Sequence, residues 1–155
     1  MTANDGAGGN LIEYVTVMID EHLFGLPIAR VQDVFVPEQL TRVPLALPEI
    51  AGVLNLRGRI VTAIDMRRRL GLPPRQAETA PIAVGIEMKG ESYGLLVDAV
   101  GEVMRLGKDA LEPKPINLDR RLAEVALGVH RLDGQLLVVL DVDRVFDLNG
   151  HSMAA

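Results

Sequence analysis

A chain of 155 residues, 48% hydrophobic and 24% charged, lies within the globular range and is long enough for one compact domain or two small intimate ones. A formal charge of -5 and an aromatic content of 3% argue against a nucleic-acid binder, which needs a basic stripe and rings for stacking. The absence of cysteine excludes disulfides, thiol catalysis and thiolate metal sites, and fits a cytoplasmic protein.

In chain order, the first segment, "MTANDGAGGN", is small, polar and Gly-rich without an apolar h-region, so residues 1–11 are expected to be a flexible tail and neither a signal peptide nor an anchor. An apolar strand, a turn at "DEH" (20–22) and two further strands follow, including "FGLPIARVQDV" at 24–34, and then a long loop. "GVLNLRGRIVTAID", 52–65, alternates apolar residues on either side of Arg57-Gly58 and reads as a β-hairpin. Type I′ hairpin turns ask for positive φ at both central residues, for which Asn-Gly and Asp-Gly are suited and arginine is not. Asp65 is placed to cap a short helix carrying Arg67, Arg68 and Arg69, which are expected to fan over a solvated face. The apolar pattern stops at "PPRQAETAP", 73–81, a semi-rigid linker. The longest fully apolar run, 136–140, is far short of the ~20 residues that span a bilayer, so a soluble chain with no direct membrane insertion is expected.

Beyond the linker the same plan returns. "YGLLVDAVGEV" (93–103) aligns without a gap with 24–34, and "GVHRLDGQLLVVLDVDRVFDL" (128–148) aligns without a gap with "GVLNLRGRIVTAIDMRRRLGL" (52–72). The second copy carries the longer middle loop, with the turn-rich "LEPKPINLD" at 111–119. Short alternating strands punctuated by Gly and Pro indicate an all-β barrel or sandwich with short helical pieces. Each copy alone would be marginally stable, so the two should share a core across an approximate two-fold axis. A first barrel drawn mainly from 12–72 and a second mainly from 82–148 are expected, with strand exchange possible and a flexible tail at 149–155. The duplication supplies an internal control: where the first copy has Arg57-Gly58, the second has Asp133-Gly134, the pair that turn physics prefers.

Catalytic arrangements are missing. Ser92 and Ser152 lie in no nucleophile elbow, and His22, His130 and His151 have no ligand spacing. His130 is expected to be an ordinary strand side chain. Asp65 and Asp141 are equivalent in the two copies, as are Asp33 and Glu102, which favours fold-level roles over catalysis. No catalytic residue, metal site or cofactor is assigned, and protein surfaces remain as the ligand class.

"GVLNLRGRIVTAIDMRRRLGL" resembles the "GVxNLRGxIxPVxDLRxxLGL" stretch of CheW-like coupling proteins of bacterial chemotaxis; "FGLPIARVQDV" and "ESYGLLVDAVGEVMRL" resemble their first- and second-barrel strands. The likeness covers about residues 12–148, with Thr62-Ala63 in place of Pro-Val and Met66 in place of Leu. The resemblance implies two SH3-like five-stranded β-barrels. It also implies a non-catalytic adaptor joining the cytoplasmic tips of methyl-accepting chemoreceptors to the regulatory domain of the histidine kinase CheA. Such a protein is cytoplasmic and recruited to membrane-associated receptor arrays; because its barrel edges must serve partners the free chain is expected to be monomeric, with pairing of an exposed edge with itself as the alternative. Carried over by position, receptor binding falls on Arg57, Asn55, Val31, Asp33 and Gly52. The receptor helix tip is then expected in the groove between the barrels. The kinase surface falls on the second barrel around Val97, Gly101 and Val103. A CheW-like scaffold in a non-flagellar or polar-localisation system shares all these features, whereas a small-barrel nucleic-acid binder using Arg57, Arg59 and the Arg67 run conflicts with the acidic charge.

Overall fold

The computed structural model describes residues 10–76, 79–148 and 151–152. Of the tails expected at 1–11 and 149–155, residues 1–9, 149–150 and 153–155 lie outside those residues, as do Ala77 and Glu78 of the linker, whereas Leu11 opens the first strand and 151–152 pair as a short strand with 147–148. The first half contributes strands β1 (Leu11–Ile19), β2 (His22–Pro27), β3 (Val31–Phe35), β4 (Ile50–Leu56) and β5 (Arg59–Asp65), then helix α1 (Met66–Arg69). The second contributes β6 (Ile82–Met88), β7 (Glu91–Val97), β8 (Ala99–Gly107), helix α2 (Arg120–Glu124), β9 (Ala126–Leu132), β10 (Gln135–Leu140) and helix α3 (Val142–Val145). A two-residue pair, β11 (Asp147–Leu148) and β12 (His151–Ser152), ends the described chain. The carboxylates of Asp65 and Asp141 accept from backbone N–H groups of α1 and α3, so both copies of the closing hairpin stop in the same capped turn of helix.

Ten strands form two five-stranded sheets, in the orders β3-β6-β7-β5-β4 and β8-β1-β2-β10-β9, which are two SH3-like barrels built from the duplicated plan. Neither sheet comes from one copy of the repeat. The N-terminal hairpin β1-β2 sits in the sheet of β8, β9 and β10, while β6-β7 sits with β3, β4 and β5. Segment 12–27 therefore lies in the second barrel and 82–97 in the first, so the barrel boundaries do not follow the linear order. Chain geometry accounts for this. A single residue, Asp98, separates β7 from β8, too little to reverse direction, so the chain runs straight on into the other sheet. Between β2 and β3 the short 3-10 turn Ile28–Arg30 makes the equivalent crossing. The linker at 73–81 joins β5 and α1 to β6, and β5 and β6 belong to the same sheet, so it does not connect the barrels.

Alternation along the strands fills three cores. Leu54, Val61, Ala63, Ala83 and Leu96 pack inside the first barrel, and Tyr14, Leu137 and Val139 inside the second. Their strand neighbours point the opposite way into the largest core, where Val17, Phe24, Leu26, Val138 and Leu140 of one sheet meet Ile64, Ile86 and Leu95 of the other. Strands buried on both faces explain the uninterrupted apolar run at 136–140. Arg67 to Arg69 do not fan over a solvated face. Arg67 is half-buried and pairs with Asp98, while Arg69 is buried and donates to the carbonyls of Val145, Arg144 and Asp147 at the C-terminal end of α3. Only Arg68 is exposed. Their partners lie far along the chain, where no local charge pattern could announce them.

Candidate partner-binding surfaces

At the β4-β5 tip, Arg57 has φ +53° and Gly58 φ +82°, the two left-handed residues of a type I′ turn. The Asn55 amide oxygen accepts from the Gly58 N–H at 2.8 Å and locks the tip. In the second copy only Gly134 is left-handed (φ +85°), and Asp133 is not among the positive-φ residues, which corrects the expectation that the favourable pair would take the type I′ geometry. The neighbour decides it. Arg131 stands where the first copy has Asn55; it has no acceptor to offer and pairs outward with Glu112 at 2.9 Å. The Arg57 side chain is exposed and makes no hydrogen bond or ion pair among the described residues. Ile60 lies directly across from Asn55 and is exposed, so the tip presents an arginine beside an apolar side chain.

Val31 and Asp33 lie on β3 and Gly101 and Val103 on β8, and these strands are the same element in the two copies: each stands at the end of its sheet. Both meet their neighbour through a β-bulge at the same place, Val31/Asp33 against β6 and Val15/Val17 of β1 against β8. On β3, Val31 is half-buried against the large core and Val34 is 46% exposed. On β8, Gly101 and Glu102 are exposed and Val103 is 48% exposed. The bulges are finished differently. The Thr16 hydroxyl donates to the Glu102 carbonyl at 2.7 Å, and a Cβ at Gly101 would fall 2.7 Å from that hydroxyl. In the first barrel Gly85 replaces Thr16, and the Asp33 carboxylate turns into the freed space, one oxygen buried without a hydrogen-bond partner among the described residues. Beside β3, a shallow open cleft of about 320 Å³ is lined by Ala29, Arg30, Gln32, Glu87, Lys89 and Gly90. Its charged lining and openness suit a polar protein contact better than an enclosed small molecule.

Two of the expected positions have their side chains or backbone committed elsewhere. Val97 is 1% exposed in the large core and offers nothing to a partner. Gly52 is buried, and a Cβ there would lie 2.6 Å from the Thr41 carbonyl, which accepts from the Val53 N–H at 2.8 Å. Gly128 makes the same close approach to Glu112 in the second copy, so this glycine lets the middle loop pair with the hairpin in both barrels. No hydrogen bond or ion pair among the described residues joins Arg57 and Asn55 to Val31 and Asp33, which lie on β4-β5 and β3 at opposite ends of the strand order. Leu45 and Ile116, which the family resemblance does not single out, are both fully exposed at loop tips. The signal was present: Pro44-Leu45-Ala46-Leu47 and Pro115-Ile116-Asn117-Leu118 occupy matching places in the two middle loops.

His130 is buried with its Nε2 unpartnered among the described residues and its ring edge-on to Tyr14; burial pushes its pKa down, against a smaller upward pull from Glu112. Among the described residues no three His, Asp or Glu side chains converge as a metal site would require, and no helix is long and apolar enough to cross a membrane.

The CheW-like domain family model matches residues 13–149. Chemotaxis protein CheW of Thermotoga maritima is 27% identical over 135 residues, covering 87% of each chain. Chemotaxis protein CheW of Bacillus subtilis is 26% identical over 154 residues, covering 99% of this chain and 97% of its own. Among solved structures, the scaffolding protein TtCheW from Thermoanaerobacter tengcongensis superposes with a TM-score of 0.80 at 29% identity, over 92% of this chain and 97% of that one. With the family pattern running through both barrels and both edge strands, this chain belongs to the CheW-like domain family of chemotaxis scaffold and adaptor proteins.

Proposed function

We propose that this chain is a non-catalytic adaptor that couples the cytoplasmic tips of transmembrane chemoreceptors to the histidine kinase CheA. The observation that carries the reading is the pair of equivalent edge strands, β3 and β8, one on each barrel, each with a half-exposed valine beside a bulge. A protein with one docking edge binds; a protein with two, on barrels that share a core, can bring two partners together. The receptor helix tip lies against Val31 and Val34, with Asp33 and the Arg57 tip supplying polar contacts and Asn55 holding Arg57 in place. Gly52 supports the same hairpin from within. The regulatory domain of the kinase, a related barrel, docks on β8 around Gly101 and Val103. The protein works in the cytoplasm and reaches the membrane through the receptors.

Arg57→Asp tests this reading cleanly, because aspartate tolerates a left-handed backbone and the turn survives the change. With membranes carrying a receptor cytoplasmic fragment, wild type should co-sediment and recruit CheA. Arg57→Asp should fold normally and lose at least about tenfold in receptor affinity, the cost of a lost charged hydrogen bond. Undiminished receptor binding by the variant would remove Arg57 from the interface. Wild-type binding to neither partner would overturn the coupling reading in favour of a CheW-like scaffold with other partners.

A further inference from the structure

The chain passes between the barrels at two places, Ile28–Arg30 and Asp98, and both are gripped by an arginine–aspartate pair. Asp98 is held by Arg67, the second residue of α1, through Nε to Oδ1 at 3.1 Å and through a terminal nitrogen to Oδ2 at 2.8 Å. Arg30 is held by Asp143, the second residue of α3, at 3.3 Å. The duplication makes α1 and α3 counterparts, so the two grips are one device used twice with the charges exchanged: helix arginine on crossing aspartate, then helix aspartate on crossing arginine.

They differ in strength. Arg30–Asp143 has 35% and 73% of its side chains exposed, the kind of pair that solvent weakens. Arg67 and Asp98 are each 15% exposed and two-pronged, and the grip extends further. The Asp20 N–H at the β1-β2 tip donates to Asp98 Oδ2 at 2.6 Å, and Arg67 also donates to the Pro73 carbonyl at 2.8 Å. One arginine thus ties together α1 of the first barrel, the hairpin tip of the second, the start of the linker and the one-residue crossing. Burial works to raise the Asp98 carboxyl, and the bonds from Arg67 and the Asp20 amide outweigh it, leaving the group below its ordinary value.

Asp98 directly precedes β8, and β3 directly follows the Arg30 turn, so the angle at these crossings sets how the two edge strands face one another. We propose that Arg67 and Asp98 are positioning residues for coupling: their pair fixes the angle between β3 and β8, so that a partner on one barrel is held in register with a partner on the other. The inference rests on the adaptor reading for its purpose, but its geometric content stands on the pair itself.

The chain has no cysteine, so Val34→Cys and Val103→Cys place spin labels on β3 and β8 alone. Pulsed electron resonance should give one narrow distance in the otherwise wild-type chain, a broadened distribution in Arg67→Ala, and a largely restored narrow one in Arg67→Lys, which keeps a cationic donor for Asp98. Asp98→Asn, which keeps an acceptor for the Asp20 N–H, serves the same purpose should Arg67→Ala not fold. A distribution that stays narrow without the pair overturns the proposal, whatever the partners are. In unlabelled protein, Arg67→Ala should bind receptor fragment and kinase separately within about threefold of wild type, while receptor control of the kinase in the three-part assembly drops about tenfold. Equal losses in separate binding and in control would reduce the pair to a stability element and also overturn it. Failure of wild type to bind either partner would count against the adaptor reading and leave the distance measurement in force.

Discussion

Arg57 holds a backbone conformation that costs an arginine about 1 kcal/mol, at a tip where its own side chain makes no hydrogen bond or ion pair among the described residues. Strain of that sort persists where it serves a contact, which predicts a trade. Arg57→Asp should raise thermal stability by up to about 1 kcal/mol, some 2–4 °C in Tm, while weakening receptor binding, and a variant that is less stable would show that the left-handed arginine is not strained. Turn propensity alone marked this arginine as out of place, but which copy adopts the type I′ turn depends on Asn55 against Arg131, two residues before the turn. His130 carries a pH consequence. The unfolded imidazole takes up a proton near pH 6.5, whereas the buried ring resists until lower pH, so the unfolded state binds more protons in between and stability falls as pH drops from 7 towards 5. His130→Leu copies Leu54, its counterpart inside the first barrel, and should flatten that part of the stability curve in denaturant titrations at several pH values. An unchanged slope would assign the dependence to other groups.

Elements repeat faithfully where they build the fold and diverge where they meet the surface. The capped helices after Asp65 and Asp141, the middle-loop bridges Thr41 to Val53 and Glu112 to Val129, and the bulges on β3 and β8 are shared. The capped helices follow from aligned residues, and the bridges do so on their hairpin side alone, at Val53 and Val129, because Thr41 and Glu112 lie in the middle loops of unequal length. The bulges escape the pattern because an extra residue in one strand leaves the alternation of its neighbours intact. Asp33 and Gly85 show how such a shared element is adapted. A Cβ at Gly85 would overlap the Asp33 carboxylate, so Gly85→Ala must drive that side chain out; because the displaced oxygen has no hydrogen-bond partner in its seat among the described residues, the change should destabilise the fold by about 1 kcal/mol at most. In the double variant Gly85→Ala/Asp33→Ala the penalty should largely vanish relative to Asp33→Ala, a coupling that chemical denaturation of the four proteins would reveal. Additive losses would mean that the two positions do not sense one another. The same overlap makes Asp33 a side chain with a fixed seat, whose outward swing any partner would have to drive.

At the scale of the molecule, the reciprocal exchange of β1-β2 and β6-β7 joins the sheets more closely than the shared core alone would. Unfolding one sheet removes strands that anchor the other copy's half, so calorimetry should show a single transition with equal calorimetric and van't Hoff enthalpies, and two separable transitions would contradict it. The number of strands, their class and the pairing of the copies were legible from periodicity and self-alignment. Which hairpin enters which sheet was not: both copies carry the same apolar alternation, so either hairpin satisfies either sheet, and the decision rests on crossings of one and three residues. Cutting the chain within 73–81 would leave each fragment with two strands of one sheet and three of the other, and neither fragment could close a barrel by itself. Two half-length chains could complete both sheets only by trading hairpins. What reads as one domain is wired as a swapped dimer, its protomers made permanent neighbours by a few proline-rich residues that hold each at high effective concentration for the other.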